Sequence, residues 1–135
     1  MIIVIGYYGP IKFVTGDKRI LTFNDFKRES SVRSEKHAVI GRKPVKEFLG
    51  PELDVITFTI HLSAANGVNP RVDAERWLRM NRAGEAHVLV VGTRALGLDK
   101  WTVENVSQAW NVIFNKGELY SCDVDVTLEE YVEVF

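Results

Sequence analysis

Cysteine is nearly missing from this chain: Cys122 is the only one in 135 residues. An internal disulfide is therefore excluded, and a reducing compartment fits. The cysteine itself reads as a small apolar filler on a strand. A dominant charge is missing too. Lys+Arg 17 against Asp+Glu 18 leave a net charge of -1, so no global field draws in nucleic acid or a membrane surface. Long apolar runs are likewise short. The opening "MIIVIGYYG" stops at Gly6, has no basic leader, and falls far below the roughly 20 residues that cross a bilayer. The expectation is a chain without export signal or anchor, assembled in a cytoplasm. Internal repeats, low-complexity tracts and linkers are not found. What remains is 46% hydrophobic and 26% charged, the balance of an ordinary globular protein. Its length fits one domain, residues 1–135, able to bury roughly two-thirds of the unfolded surface.

Ile11–Val14 and Arg19–Phe23 alternate apolar and polar around "TGDK", which predicts a hairpin. "NDFKRESSVRSEKH" has no period of either kind and reads as a long exposed loop. Val39–Leu49 is strand-like, but Gly41 and Pro44 demote it to an edge or bulged strand, broken at Gly50-Pro51. Asp54–Leu62 is the strongest strand. Ile56, Phe58, Ile60 and Leu62 form its apolar face, while Val55, Thr57, Thr59 and His61 form a mixed one.

"NGVNPRVDAERWLRMNRAGE" predicts a helix. Asn69 caps it, Pro70 occupies its first position, and Asp73 and Glu75 suit its positive end. Ala74, Trp77, Leu78 and Met80 give a narrow apolar stripe; Arg79 and Arg82 fall in the last turn, and Gly84 ends it. Val88–Val91, Trp101–Val106 and Ala109–Phe114 read as further strands, with "GTRALGLDK" a loop and "NKGE" a turn. From Leu119, the residues Tyr120, Cys122, Val124, Val126 and Leu128 share one face; Ser121, Asp123, Asp125 and Thr127 share the other. Strands, one helix, then strands predict an antiparallel α+β sandwich with a flanking helix.

Catalytic motifs are sparse. "GTRALG" lacks the lysine and serine/threonine ending of a phosphate loop. His37, His61 and His87 stand alone, without metal-ligand spacing. Asp54, His61 and Ser63 cannot be a triad, because Asp54 and His61 lie about 23 Å apart along one strand. Asp123 and Asp125 share a strand face with carboxylates roughly 7 Å apart, a spacing compatible with paired glycosidase acids. Simple alternation also produces it, and a solvated or channel-facing acidic surface is the expected role.

Charge segregation is the stronger signal. Lys27, Arg28, Arg33, Lys36, Arg42, Lys43 and Lys46 oppose only Glu29 and Glu35, marking an exposed basic arm over about residues 25–46. From Glu118 onward, Glu118, Asp123, Asp125, Glu129, Glu130 and Glu133 have no basic neighbour. Two solvated faces of a monomer would explain this, as would a nucleic-acid patch with Phe26 and Phe48. A head-to-tail assembly, basic arm on the acidic edge of the next copy, explains both halves at once. The subunit-interface set is then Lys27, Arg28, Arg33, Lys36, Arg42, Lys43, Lys46, Glu129, Glu130 and Glu133. Thr57, Thr59, His61, Asp123 and Asp125 form lumen- or partner-facing strand faces.

"TFNDFKRES", "HAVIGRKPVKEFLGPELDVITFTIHLSAANGVNP", "GEAHVLVVG", "WTVENVSQAW" and "GELYSCDVDVTLEEYV" together resemble the tail protein U (GpU) family of P2-like contractile-tailed bacteriophages. The likeness runs from about Gly9 to Val132 and is strongest from His37 to Pro70; "MIIVIGYY" extends beyond it as a local addition. The resemblance implies a non-catalytic virion component, without cofactor or metal, in phages, defective prophages or tail-like bacteriocins. It implies a ring, most simply six-fold, at the tail tip where tube, hub and baseplate join, with a tail-tube-like fold of two antiparallel sheets and a flanking helix. Its partners would be copies of itself and tube, hub, baseplate and tape-measure proteins, with DNA only passing through a lumen. A tail-terminating ring at the capsid end is the alternative. A small carboxylate hydrolase centred on Asp123 and Asp125, and a nucleic-acid module on the basic arm, are the readings from other classes.

Overall fold

The computed structural model describes residues 2–16, 21, 23–67, 69–92, 94–96, 100–113, 117 and 119–132. Its strands are β1 (Ile2–Tyr8), β2 (Ile11–Gly16), β3 (Phe23–Glu29), β4 (Val32–His37), β5 (Val45–Pro51) and β6 (Val55–Ser63). A 3-10 turn (Ala64–Asn66) leads to the helix α1 (Pro70–Ala83). Then follow β7 (Ala86–His87), β8 (Leu89–Val91), β9 (Arg94–Ala95), β10 (Lys100–Ile113) and β11 (Leu119–Tyr131). All pairings are antiparallel, so the class is α+β. The described residues form three sheets, not the two expected: β2-β1-β8-β9, β3-β6-β11-β10-β7, and the separate ribbon β4-β5. The first two adjoin where the chain passes from β7 to β8, and again where Leu21 bridges Val14 just before β3.

The strand β6 behaves as its alternation demands. Ile56, Phe58, Ile60 and Leu62 are buried against Cys122, Val124, Val126 and Leu128 of β11. The helix lies on that apolar face. Its start is fixed by Asn69, whose Oδ1 accepts the Val72 N–H at 3.3 Å, and its end by Gly84 at φ 66. Trp77 anchors it in an aromatic cluster, stacked on Tyr8 at 5.7 Å and edge-on to Phe58 at 5.9 Å. Two side chains of the helix and β10 close the contact: Asn81 donates to the Val103 carbonyl, and Gln108 to that of Ala74.

Some readings change. Residues 24–37 are not a loop but contain β3 and β4. In β3 the period is hidden by a bulge: Asp25 sits at φ 55, and the register slips between Asn24 and Lys27. That extra residue lets Phe23 and Phe26, three apart, both pack on Phe58. Trp101–Val106 and Ala109–Ile113 are one strand, β10, whose bulges at Val103/Asn105 and Trp110/Val112 break the alternation. The amino-terminal segment is built into the fold: β1 pairs with both β2 and β8, and Tyr8 is fully buried. Gly6 permits this pairing, since a Cβ there would land on the Val90 carbonyl oxygen. Asp17 and Lys18 of "TGDK", Phe114 and most of "NKGE" lie outside the described residues.

Candidate functional site

The mixed face of β6 and the acidic face of β11 are one surface. In register, His61 faces Asp123, Thr59 faces Asp125, and Thr57 faces Thr127. Side chains close the pairs: His61 Nδ1 lies 2.6 Å from Asp123 Oδ1, and Thr59 Oγ1 donates to Asp125 Oδ1 at 2.6 Å. From β10, Asn111 Nδ2 donates to Asp123 Oδ2 at 3.1 Å. Ser107 and Asn105 continue the rows opposite Asp125 and Thr127, while Asn24 and Lys27 extend them across β3. The opposite face carries the helix, so the result is a polar, weakly acidic platform open to solvent. Ser121 leaves this row: it is buried opposite Ser63, where the chain bends into the 3-10 turn beside β11.

The hydrogen bond from His61, with that from Asn111, holds the Asp123 carboxyl below its ordinary range. It stays ionised at neutral pH and is ill-suited to donate a proton as a glycosidase acid must. The platform's chemistry is electrostatic and hydrogen-bonding.

The predicted interface residues separate into two groups. Arg28 is engaged inside the subunit, its Nε and Nη2 reaching Asp54 Oδ2 at 3.1 and 2.7 Å, with the guanidinium 5.7 Å from the Trp101 ring centroid. Glu130 is engaged as well, its Oε1 accepting the Asp54 N–H at 2.6 Å. Lys27 pairs with exposed Glu29 at 2.7 Å. Arg33, Lys36, Arg42, Lys43 and Lys46 all belong to the ribbon, and Glu129 lines a cleft; Glu133 lies outside the described residues.

The ribbon β4–β5 is the unusual element. All six β4 residues are exposed, as are all of β5 except half-buried Gly50, leaving Val32, Val45, Phe48 and Leu49 open to solvent. A lone two-stranded ribbon is marginal in water. Its cross-strand pairs make matters worse: Lys36 faces Lys46, and Glu35 faces Glu47. Like charges directly opposite destabilise a strand pair. Some relief comes from His37, whose Nε2 lies 2.8 Å from Glu47 Oε2. Glu35, His37 and Glu47 bring ligand-capable atoms within 4.8 Å of one another, all exposed, a grouping the scattered histidine spacing concealed.

A cleft of about 560 Å³ opens at the far end of β10 and β11 from Asp123, lined by Leu53, Val103, Tyr131 and Val132 with Glu104, Glu129 and Glu130. Sequence reading placed Glu129 and Glu130 at an acidic edge but could not show a concavity, because its walls come from four separated segments. Among the described residues, no helix is long and apolar enough to cross a membrane.

The family model for phage P2 GpU matches residues 9–133, nearly the whole chain. No curated protein matches it. The exposed ribbon and open platform thus sit on a chain that belongs to the phage P2 GpU family, a family of phage tail-related structural proteins.

Proposed function

We propose that this chain is a non-catalytic subunit of a ring in a contractile phage tail or tail-like particle, placed at the tail tip between tube, hub and baseplate and needed for tail assembly. The observation that carries the reading is the ribbon: exposed along both strands, with like charges opposed, it is a poor structure alone and a good one against a partner. The ring has six copies, and the two larger sheets with their flanking helix correspond to a tail-tube-like unit. The platform of Thr57, Thr59, His61, Asp123 and Asp125 faces the lumen, where its ionised carboxylates repel DNA phosphates and let a tape-measure protein or DNA slide. The ribbon, with Arg33, Lys36, Arg42, Lys43 and Lys46, closes the ring.

Replacing Val32–Pro51 by a short linker tests this. The expected product is a folded monomer that fails to enter tails; truncated protein incorporated at the normal level would overturn the reading. Asp123→Lys with Asp125→Lys should fold normally yet impair tail assembly or DNA passage. A map of the parent particle with the ring at the capsid end would move the protein from tip to terminus.

A further inference from the structure

We propose that the ribbon tip of one copy seats in the acidic cleft of the next, with Ile40 entering among Leu53, Tyr131 and Val132, and Arg42 and Lys43 meeting Glu104 and Glu129. This deepens the ring reading above and rests on it.

The tip is built to be inserted. The Arg42 N–H bonds the Val39 carbonyl at 3.2 Å, and Gly41 takes φ 73, which makes a tight turn that fixes the direction of its residues. Ile40 is 102% exposed, a large apolar side chain held wholly in solvent at the apex. Two cations follow just beyond Gly41, Arg42 and Lys43. The cleft offers the complement. Leu53 and Val103 supply apolar floor, exposed Tyr131 and Val132 apolar rim, and three carboxylates the charge, with no lysine or arginine in the lining among the described residues.

The two surfaces cannot meet within one copy. Leu53 lines the cleft and follows β5 by two residues, so the ribbon is rooted at the cleft. Its tip stands at the other end of six-residue β4, about 20 Å away at roughly 3.3 Å per residue. A root fixed beside a site that only the tip complements makes the joint intermolecular. Tip and cleft are different patches, so the contact is head-to-tail, and such contacts close into rings when the rotation permits.

The test uses the full chain and follows self-association by sedimentation across concentration. Arg42→Glu with Lys43→Glu makes an acidic tip; Glu104→Lys with Glu129→Lys makes a basic cleft. Glu130 is left intact because it holds the Asp54 N–H. Either variant alone should associate at least about tenfold more weakly than wild type, as like charge replaces complementary charge. Mixing the two should restore association, because acidic tips then meet basic cleft walls and basic tips meet acidic ones. Ile40→Asp, at a side chain that touches no core, should weaken association without changing the melting temperature. Undiminished association of the variants, or no recovery on mixing, overturns the joint while leaving the ring intact. A tip reversal that blocks entry into tails but spares self-association also overturns it, and assigns the tip to another tail protein. Wild-type chain that never self-associates, either in solution or when cross-linked within intact tails, overturns the ring reading itself.

Discussion

Arg28 looks from its sequence neighbourhood like one more cation of an interface arm, yet its atoms are spent inside the subunit. Truncating it to alanine separates the two roles. Two N–H groups would be lost from Asp54 Oδ2, at 3.1 and 2.7 Å, together with the guanidinium over Trp101 at 5.7 Å. Hydrogen bonds to a charged group contribute about 1.5–3 kcal/mol, and an exposed cation–π contact about 0.5–1 kcal/mol. The Arg28 side chain is 39% exposed, so solvent screening favours the lower end, about 2 kcal/mol. For a chain of this size, that lowers Tm by about 6–10 °C.

The effect carries a pH signature. Hydrogen bonds from Arg28, then Ser30, hold the Asp54 carboxyl below its ordinary range. A depressed carboxyl contributes stability that is present above its unfolded pKa of about 3.9 and is lost as pH falls through the folded value. The gap between wild type and Arg28→Ala, measured by urea unfolding, should therefore be constant from about pH 7 to 5 and shrink below about pH 4. Lys36→Ala, on the ribbon, should change stability by less than about 0.5 kcal/mol. A gap for Arg28→Ala under about 0.5 kcal/mol, or one unchanged at pH 3, would refute the reasoning.

Gly6→Ala should destabilise by about 1–3 kcal/mol and speed amide exchange in β1, because the new Cβ collides with the Val90 carbonyl and pushes β8 away; protection equal to wild type would contradict this. Cys122, fully buried and with its thiol pushed up to about 11 by burial, then by Asp123 and Asp73, should resist alkylation at pH 8 until denaturant is added. Labelling of the folded chain at the rate of a free thiol would show the strand is not packed as described. Asn69→Ala should cost about 1 kcal/mol by releasing the Val72 N–H, and Asn69→Asp should recover most of it in thermal melts.

Sequence determined the parts whose burial follows a simple local period. Alternation in Val55–Ser63 and Leu119–Tyr131 marks which side of each strand is apolar, and Asn69, Pro70 and Gly84 delimit α1 to the residue. The family could be read there too, since its motifs are stretches of contiguous residues. Only the tertiary structure decided the rest. The bulge at Asp25 and those in β10 each insert one residue into a two-residue period, so β3 reads as loop and β10 as two strands. The ribbon buries neither face, so it leaves no apolar alternation to detect. Above all, pairing is non-local. Nothing in the sequence near His61 or Arg28 names Asp123 or Asp54 as a partner 62 or 26 residues away. Periodicity tells each strand which side to hide, but register between distant strands is chosen by the shared core, and it is register that assembles the platform and ties Arg28 to Asp54 within the subunit.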